Sequence, residues 1–287
     1  MCKAGFFVTY SRRLRSGLGT RLLWAIFLAG ASICLPHQGR ASGLGTSSVE
    51  PLARPNVAEQ YLLDAANSER ITRGLKPLRR DANLSQAARY HAQQMALHGD
   101  ISHQFRDEPD LTQRGSKAGA TFSLISENVA AAPTSTMIHE LWMRSPGHRK
   151  NLLDPEVDAV GIAVVVRGGQ TYAVEDFASS VQTLSYDEQE RIVSDALARQ
   201  GLSVGPDRLT SSLEDARRTC SAQTGYGGTS HKPRFIVRFT SSSLNELPLV
   251  LQKKIDSGQY RKAVVGACRD ASAGSFTDYN IAVLLYP

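Results

Sequence analysis

The chain has 287 residues, a length that fits one large domain or two ordinary ones. Apolar residues make up 41% and charged residues 21%, which is typical of a globular chain and excludes a disordered one. The formal net charge of +6 arises in the first 41 residues, which carry six Lys and Arg and no Asp or Glu, so the remainder is formally neutral. Bulk charge therefore gives no support for a nucleic-acid partner.

The N-terminal segment is typical of an export signal. Basic residues precede an apolar run of 14 residues that begins at Leu22, which is too short to span a bilayer comfortably. Small residues around Ala41 suit cleavage by a signal peptidase. We therefore predict a signal peptide at 1–41, a linker at 42–56, no transmembrane segment in the mature chain, and a secreted or cell-envelope location. A retained membrane anchor is the alternative.

The cysteines agree with export. Cys2 and Cys34 fall in the predicted leader, so Cys220 and Cys268 are the two that remain. Because an exported chain meets an oxidising compartment, we predict a disulfide between them, with two buried thiols as the alternative. This bond would lie wholly in the C-terminal part of the chain.

Residues 57–180 contain the signals of a mixed α/β layer fold. Helical periodicity, caps and turn residues predict helices first and a β-hairpin last, with Gly168-Gly169 as the hairpin turn. The predicted elements are helices at 57–72, from Leu84 to before Gly99 with Asp81 or Asn83 as the cap, after Pro109 and at 134–143, and strands at 123–130, 157–166 and 171–177.

A second, smaller α/β unit is predicted at 185–287. Ser185–Glu188 and Ser243–Glu246 both have the pattern of a capping box at a helix start. A further helix is predicted at 213–220, with strands at 235–239, 260–267 and 279–286. The unit has no cluster of His, Cys or acidic residues, so we expect it to carry no site and to bind a partner or cover one face of the first unit. A decayed repeat of the first unit is the alternative, because its last two strands resemble the earlier hairpin.

Polar residues that could carry chemistry stand between the apolar segments of the first unit. His103, Glu127 and His148 supply two imidazoles and a carboxylate, which suit zinc or a similar divalent cation. Their separations of 24 and 21 residues match no local metal motif, and each could instead be a solvated or capping side chain.

Other polar residues of the first unit have structural interpretations. His91 lies on the apolar face of its helix, so we expect a histidine that is hydrogen-bonded in the core. Asn67 and Arg70 share a helix face and are expected to tie loops together.

An ordered set of segments resembles the CAP superfamily, which groups cysteine-rich secretory proteins, antigen five and pathogenesis-related proteins and whose module is also called the SCP domain. The segments are Asn67–Arg70, Gly74–Leu78, Ser102-His103, Arg114 with Ala118-Gly119, Glu127-Asn128 and Trp142–Leu153. The last block is similar to the bacterial form of the family motif. The resemblance covers 57–180.

This resemblance implies an α-β-α sandwich followed here by the smaller α/β domain, and a cleft in which two His and two acidic residues can hold a divalent cation. His103, Glu127 and His148 match three of those four positions, and Ser145 stands where the other acidic residue falls. The resemblance also implies an extracellular, non-enzymatic binding module with a lipid or protein ligand. The alternative is a metal-assisted hydrolase of peptide or cell-wall substrates.

Overall fold

The computed structural model describes residues 56–269 and 275–287 in full, together with the backbone of residues 3–4 and 9–12. Two short strands lie in those N-terminal pieces, β1 (Lys3–Ala4) and β2 (Thr9–Arg12). The rest of the predicted signal peptide and linker lies outside the described residues. Among the helices of the described segments, none has the length and apolar character that a membrane span requires.

The first unit contains five helices and four strands within the described residues. They are α1 (Val57–Ile71), β3 (Arg79–Arg80), α2 (Ala82–His98), α3 (Leu111–Lys117), β4 (Phe122–Ala132), α4 (Ser135–Arg144), α5 (Pro146–Leu152), β5 (Ala159–Arg167) and β6 (Gln170–Ser180). Local sequence explains where the helices begin. Asn56 and Glu59 form a capping box at α1, and Asp81 accepts two backbone N–H groups at the start of α2. The predicted helices and hairpin are thus confirmed, whereas α5 was not predicted.

The strands of this unit form one sheet in the order β1-β4-β6-β5-β3, with β2 also paired to β4. All pairs are antiparallel except β3 with β5. Gly168 and Gly169 link β5 to β6 with φ of 58° and 75°, which glycine adopts without strain and which suits a tight hairpin.

Helices cover both faces of the sheet. On one face, α2 packs Ala88, Ala92 and Met95 against apolar side chains of β4, β5 and β6. The other face is covered by α1, α4 and α5, among whose buried residues are Trp142 and Leu152. Because each helix buries one apolar stripe against the sheet, the unit is an α-β-α sandwich.

Asn67 and Arg70 tie loops together, as the sequence predicts. Asn67 exchanges two hydrogen bonds with the backbone of Leu78, at 3.1 and 2.7 Å. The buried guanidinium of Arg70 donates to four backbone oxygens between residues 76 and 157, at 2.8 to 3.1 Å. These bonds fix the segment that follows α1 and the segment that follows α5.

The second unit contains three helices and four strands within the described residues. They are α6 (Tyr186–Arg199), β7 (Ser203–Val204), α7 (Leu213–Ser221), β8 (Phe235–Ser241), α8 (Leu249–Asp256), β9 (Lys262–Cys268) and β10 (Tyr279–Tyr286). The capping box at Ser185 is confirmed. The helix start predicted at Ser243 is wrong, because the helix begins six residues later, at Leu249. A start at Ser243 would place Pro248 in the helix interior, where it lacks an N–H to donate, whereas proline is tolerated at a helix start.

The four strands form a separate sheet in the order β7-β9-β10-β8, in which β7 and β9 are parallel. The predicted disulfide is present: Cys220 and Cys268 are joined, with Cα atoms 5.7 Å apart. It connects the end of α7 to the end of β9, so it staples a helix to the sheet.

The two units are in contact. Phe276 packs edge-on against Phe122, with ring centroids 5.6 Å apart, and joins an apolar cluster of the first unit. The Thr277 N–H donates to the Phe122 carbonyl at 2.9 Å, and the Tyr279 hydroxyl donates to the Gln182 carbonyl at 2.6 Å. The second unit therefore covers one end of the first unit's core.

Candidate functional site

Glu127 is the centre of the candidate site. It lies in the middle of β4, is completely buried, and accepts a hydrogen bond from His103 Nδ1 at Oε1, at 2.7 Å. Its other oxygen accepts a charge-assisted hydrogen bond from Arg114 of α3, which is also buried. The side chain of His103 is 14% exposed and belongs to the loop after α2. The site is thus a buried ion pair with one partly exposed histidine beside it.

Neighbouring cations keep Glu127 ionised. Burial would raise its pKa, but the charges of His91 and Arg114 and the contact with His103 outweigh burial and lower the pKa to about 2. Conversely, burial would lower the pKa of Arg114, and its acidic neighbours Glu127, Asp176 and Glu108 outweigh that and raise it. The ion pair is therefore charged throughout the neutral pH range.

His91 anchors the loop that carries His103. It is fully buried, with Nδ1 2.7 Å from Glu108 Oε1 and Nε2 2.7 Å from the Ser102 carbonyl. Both ring nitrogens face oxygen atoms of the protein, so the ring is held in one orientation. The prediction that His91 is a hydrogen-bonded core residue is confirmed, and it also fixes the residue next to His103.

Helix α5 is docked to β4 beside Glu127. Asn151 donates to the Glu127 carbonyl and to Asn128 Oδ1, both at 3.1 Å, and Asn128 Nδ2 donates to the His148 carbonyl at 3.1 Å. His148 is buried in the first turn of α5, and Ser145 caps that helix through its backbone without a side-chain hydrogen bond. Helix α5 lies on the same face of the sheet as α1 and α4, whereas His103 follows α2, which covers the other face. A site common to His148 and His103 would therefore have to lie at β4, between the two helix layers.

Strand β6 contributes two further buried acids next to the site. Asp176 lies opposite Glu127 in the β4–β6 register, and Glu175 lies opposite Asn128. Burial is the main reason that the pKa of Asp176 lies well above its ordinary value, and the negative charge of Glu127 raises it further. Burial also raises the pKa of Glu175 to about 8, although a hydrogen bond from Asn128 opposes the effect. Both acids are therefore favoured in their neutral form.

A zinc site made by His103, Glu127 and His148 stays a prediction, and the contacts of Glu127 weigh against it. Within the part of the chain that the structure describes, no group of three or more His, Cys, Asp or Glu side chains is arranged to hold a metal ion. Both Glu127 oxygens already bind cationic or donor groups of the protein, and the position implied for a second acid holds Ser145. A divalent cation would have to displace a buried guanidinium, so the donor set does not fit a metal.

Sequence reasoning identified His103 and Glu127 as neighbours only through the family resemblance. It assigned no role to Arg114, Asn151 or the two acids of β6. A signal for the acids was present, because Glu175 and Asp176 stand side by side in an otherwise apolar predicted strand. Arg114 carried no such signal, since a single arginine after a helix start is ordinarily solvated.

Comparison with known proteins agrees with this fold. Residues 63–182 match the cysteine-rich secretory protein family, CAP. The uncharacterized protein YkwD of Bacillus subtilis (strain 168) is 32% identical over 111 residues, which are 38% of this chain and 43% of YkwD. The chain thus spans less than half the length of this curated relative.

Solved structures are also similar to part of the chain. An extracellular protein containing a SCP domain from Bacillus anthracis is 27% identical, with a TM-score of 0.39, over 42% of this chain and 40% of that chain. An outer surface protein from Borrelia burgdorferi is 21% identical, with a TM-score of 0.41, over 43% of this chain and 92% of that chain.

The α-β-α sandwich, the ordered motifs and the family match define the first unit as a CAP domain. Residues 63–182 are thus a CAP domain similar to bacterial proteins such as YkwD, and the chain has an additional C-terminal α/β unit after this domain.

Proposed function

We propose that this CAP-domain protein is exported and acts outside the cytoplasm as a non-enzymatic module that binds a lipid or protein ligand of the cell envelope. The cleft at His103, Glu127 and His148, with Ser145 at its rim, is the proposed binding site. His103 contacts the ligand, and Glu127 holds the imidazole in one orientation through Nδ1.

The observation that carries this proposal is the complete engagement of the Glu127 carboxylate. One oxygen is held by His103 and the other by Arg114, so the group is neither an open metal ligand nor a free base. Its low pKa of about 2 also makes it a poor proton acceptor at neutral pH. Such a preorganised ionic core suits recognition, because it holds His103, whose side chain is 14% exposed, in one orientation.

Co-sedimentation tests the proposal. The purified chain is mixed with vesicles of phosphatidylethanolamine and phosphatidylglycerol, or with isolated peptidoglycan sacculi, and the bound fraction is measured. We expect one of the two to retain the wild-type chain and His103→Ala to weaken retention about tenfold, as loss of one well-placed hydrogen bond does. His231→Ala is the control, since His231 is exposed in the second unit. Equal retention of the two variants contradicts the assignment of the cleft.

The alternative function is hydrolysis of peptide or cell-wall substrates. The contact between His103 Nδ1 and Glu127 favours it, because a carboxylate that orients a histidine is the arrangement of a general base. Release of soluble fragments from sacculi or from a denatured protein substrate distinguishes the two functions. Release by the wild-type chain that is lost in His103→Gln, with and without added zinc, establishes a hydrolase and contradicts the binding proposal.

A further inference from the structure

The second unit repeats the chain path of the CAP domain. Both begin with a helix of about four turns, continue through a two-residue strand and a second helix, and end in a β-hairpin. The sheet order is also the same, since β8-β10-β9-β7 corresponds strand for strand to β4-β6-β5-β3. In each sheet the two-residue strand is parallel to its neighbour, and the other pairs of these four strands are antiparallel.

The hydrogen bonds at the start of the two units correspond atom for atom. After α1, Gly74 and Leu75 donate to the carbonyls of Ile71 and Arg70; after α6, Gly201 and Leu202 donate to those of Ala198 and Leu197. The parallel strands that follow are joined by matching backbone hydrogen bonds, all at 2.9 Å. In the first unit the N–H groups of Arg79 and Asp81 donate to the carbonyls of Asp158 and Val160. In the second unit the N–H groups of Ser203 and Gly205 donate to the carbonyls of Arg261 and Ala263. These bonds align Val160 of β5 with Ala263 of β9.

A buried glutamate of the first helix holds each unit together in the same way. Glu59 of α1 accepts the N–H of Val164 and binds Arg89 of α2. Glu190 of α6 accepts the N–H of Ala267 at 2.8 Å and binds Arg217 of α7 at 2.8 and 2.7 Å.

The alignment of the strands makes the two backbone donors equivalent, although Glu59 stands 15 residues before Gly74 and Glu190 stands 11 residues before Gly201. Val164 lies four residues after Val160, and Ala267 lies four residues after Ala263. The N–H group that the buried glutamate accepts therefore occupies the same place in both sheets.

Glycines let the equivalent helices approach the equivalent strands. A Cβ atom at Gly161 of β5 would lie 2.1 Å from the Leu84 backbone of α2. A Cβ atom at Gly266 of β9 would lie 2.3 Å from the Ala216 backbone of α7. Both helices thus lie directly on the sheet, with no room for a side chain between them.

The strand registers also show which residues of the second unit replace the buried polar residues of β4 and β6. Val160 pairs with Phe177 and Phe177 with Ser126, whereas Ala263 pairs with Leu285 and Leu285 with Phe235. Counting one or two residues along each strand pairs four buried polar residues of β4 and β6 with apolar residues of the second sheet. The pairs are Glu127 with Ile236, Asn128 with Val237, Glu175 with Val283, and Asp176 with Leu284.

We infer that residues 185–287 are a second CAP-type unit in which apolar residues replace the buried polar residues of β4 and β6. The chain is therefore a tandem of one unit with a polar sheet interior and one with an apolar sheet interior. The second unit covers the core of the first through Phe276, and its described residues offer no ligand site of the cleft's kind. This inference is independent of what the first unit binds.

Hydrogen exchange of the full chain, followed by mass spectrometry, tests the equivalence. Glu190→Gln removes the charge that holds α7 and β9, so we expect exchange in 213–221 and 262–268 to accelerate about tenfold or more. Glu59→Gln should have the same effect on 82–98 and 159–167. Glu246→Gln, which changes an exposed glutamate of the second unit, is the control.

A conservative pair of variants keeps the test decisive if Glu190→Gln prevents folding. Arg217→Lys and Arg89→Lys retain the positive charge but lose the planar contact, and should accelerate the same segments to a smaller degree. The inference is overturned if Glu190→Gln and Arg217→Lys accelerate exchange no more than Glu246→Gln. It is also overturned if an experimental structure gives the second sheet a different strand order.

Discussion

Glu175 offers the sharpest stability prediction, because it is a fully buried carboxyl group whose pKa is dominated by burial. Its pKa is raised from 4.5 to about 8, so the folded state holds the proton that the unfolded chain releases above pH 4.5. This group's contribution to stability is fully present below pH 4.5 and is lost as the pH rises through 8. At pH 7 this loss lowers the free energy of unfolding by about 3 kcal/mol relative to pH 4.5, since each pH unit above 4.5 removes about 1.4 kcal/mol.

Glu175→Gln should remove this loss. The amide has the shape of the neutral acid and can still accept the hydrogen bond from Asn128. We therefore expect the variant to be more stable than wild type by about 3 kcal/mol at pH 7 and equal to it at pH 4.

Urea unfolding at a series of pH values, followed by tryptophan fluorescence, measures this difference. Trp142 is buried in the CAP domain, and the other tryptophan of the chain lies in the predicted leader, so the signal reports the CAP domain. Glu246→Gln is the control and should change nothing at either pH. A stability difference that does not vary with pH, or a Glu175→Gln variant less stable than wild type at pH 7, refutes the reasoning.

Three further predictions concern the ion pair, the disulfide and the contact between units. Glu127→Gln should lower stability by about 3 kcal/mol at pH 7, and the effect should fade as the pH falls from 4.5 towards 2, in the same urea assay, because the cations beside this group lower its pKa. A loss that is the same at pH 2.5 and pH 7 would be inconsistent with that cause. The Cys220–Cys268 disulfide closes a separation of 48 residues, so its reduction should lower the free energy of unfolding of the second unit by about 4 kcal/mol. The measurement is the shift of the second unit's melting midpoint, with Trp142 fluorescence unchanged, and an unchanged midpoint contradicts the prediction. Deletion of 185–287 should leave a folded CAP domain with a lower melting midpoint, because Phe122 loses Phe276, and aggregation of the truncated chain would show that the units fold as one.

Sequence reasoning succeeded where a local signal decides the structure. The capping residues Asp81 and Ser185 stand directly before the helices that they start, and Gly168-Gly169 stands at the hairpin. The disulfide followed from compartment and number alone, since two cysteines remain after the predicted leader.

The parts that sequence reasoning missed depend on long-range contacts. The Arg114–Glu127 pair joins a short helix to a strand, and nothing near Arg114 in the chain indicates its partner. Helix α5 begins at Pro146, inside the block from Trp142 to Leu153, which was interpreted as a family motif and not as a second helix. The sequence indicated a repeat only as an alternative, from its last two strands, because strand register and the contacts of Glu59 and Glu190 are not visible in residue types along the chain.

A zinc-soaked crystal of the protein, measured at the zinc absorption edge, tests whether Arg114 takes the place of a metal beside Glu127. Arg114 supplies the positive charge that neutralises Glu127, so Glu127 has no place for a metal. We expect no anomalous peak between His103 and Glu127 and an intact Arg114–Glu127 pair. A peak bound by His103 and His148, with Arg114 displaced from Glu127, would contradict it and restore the metal-dependent interpretation of the cleft.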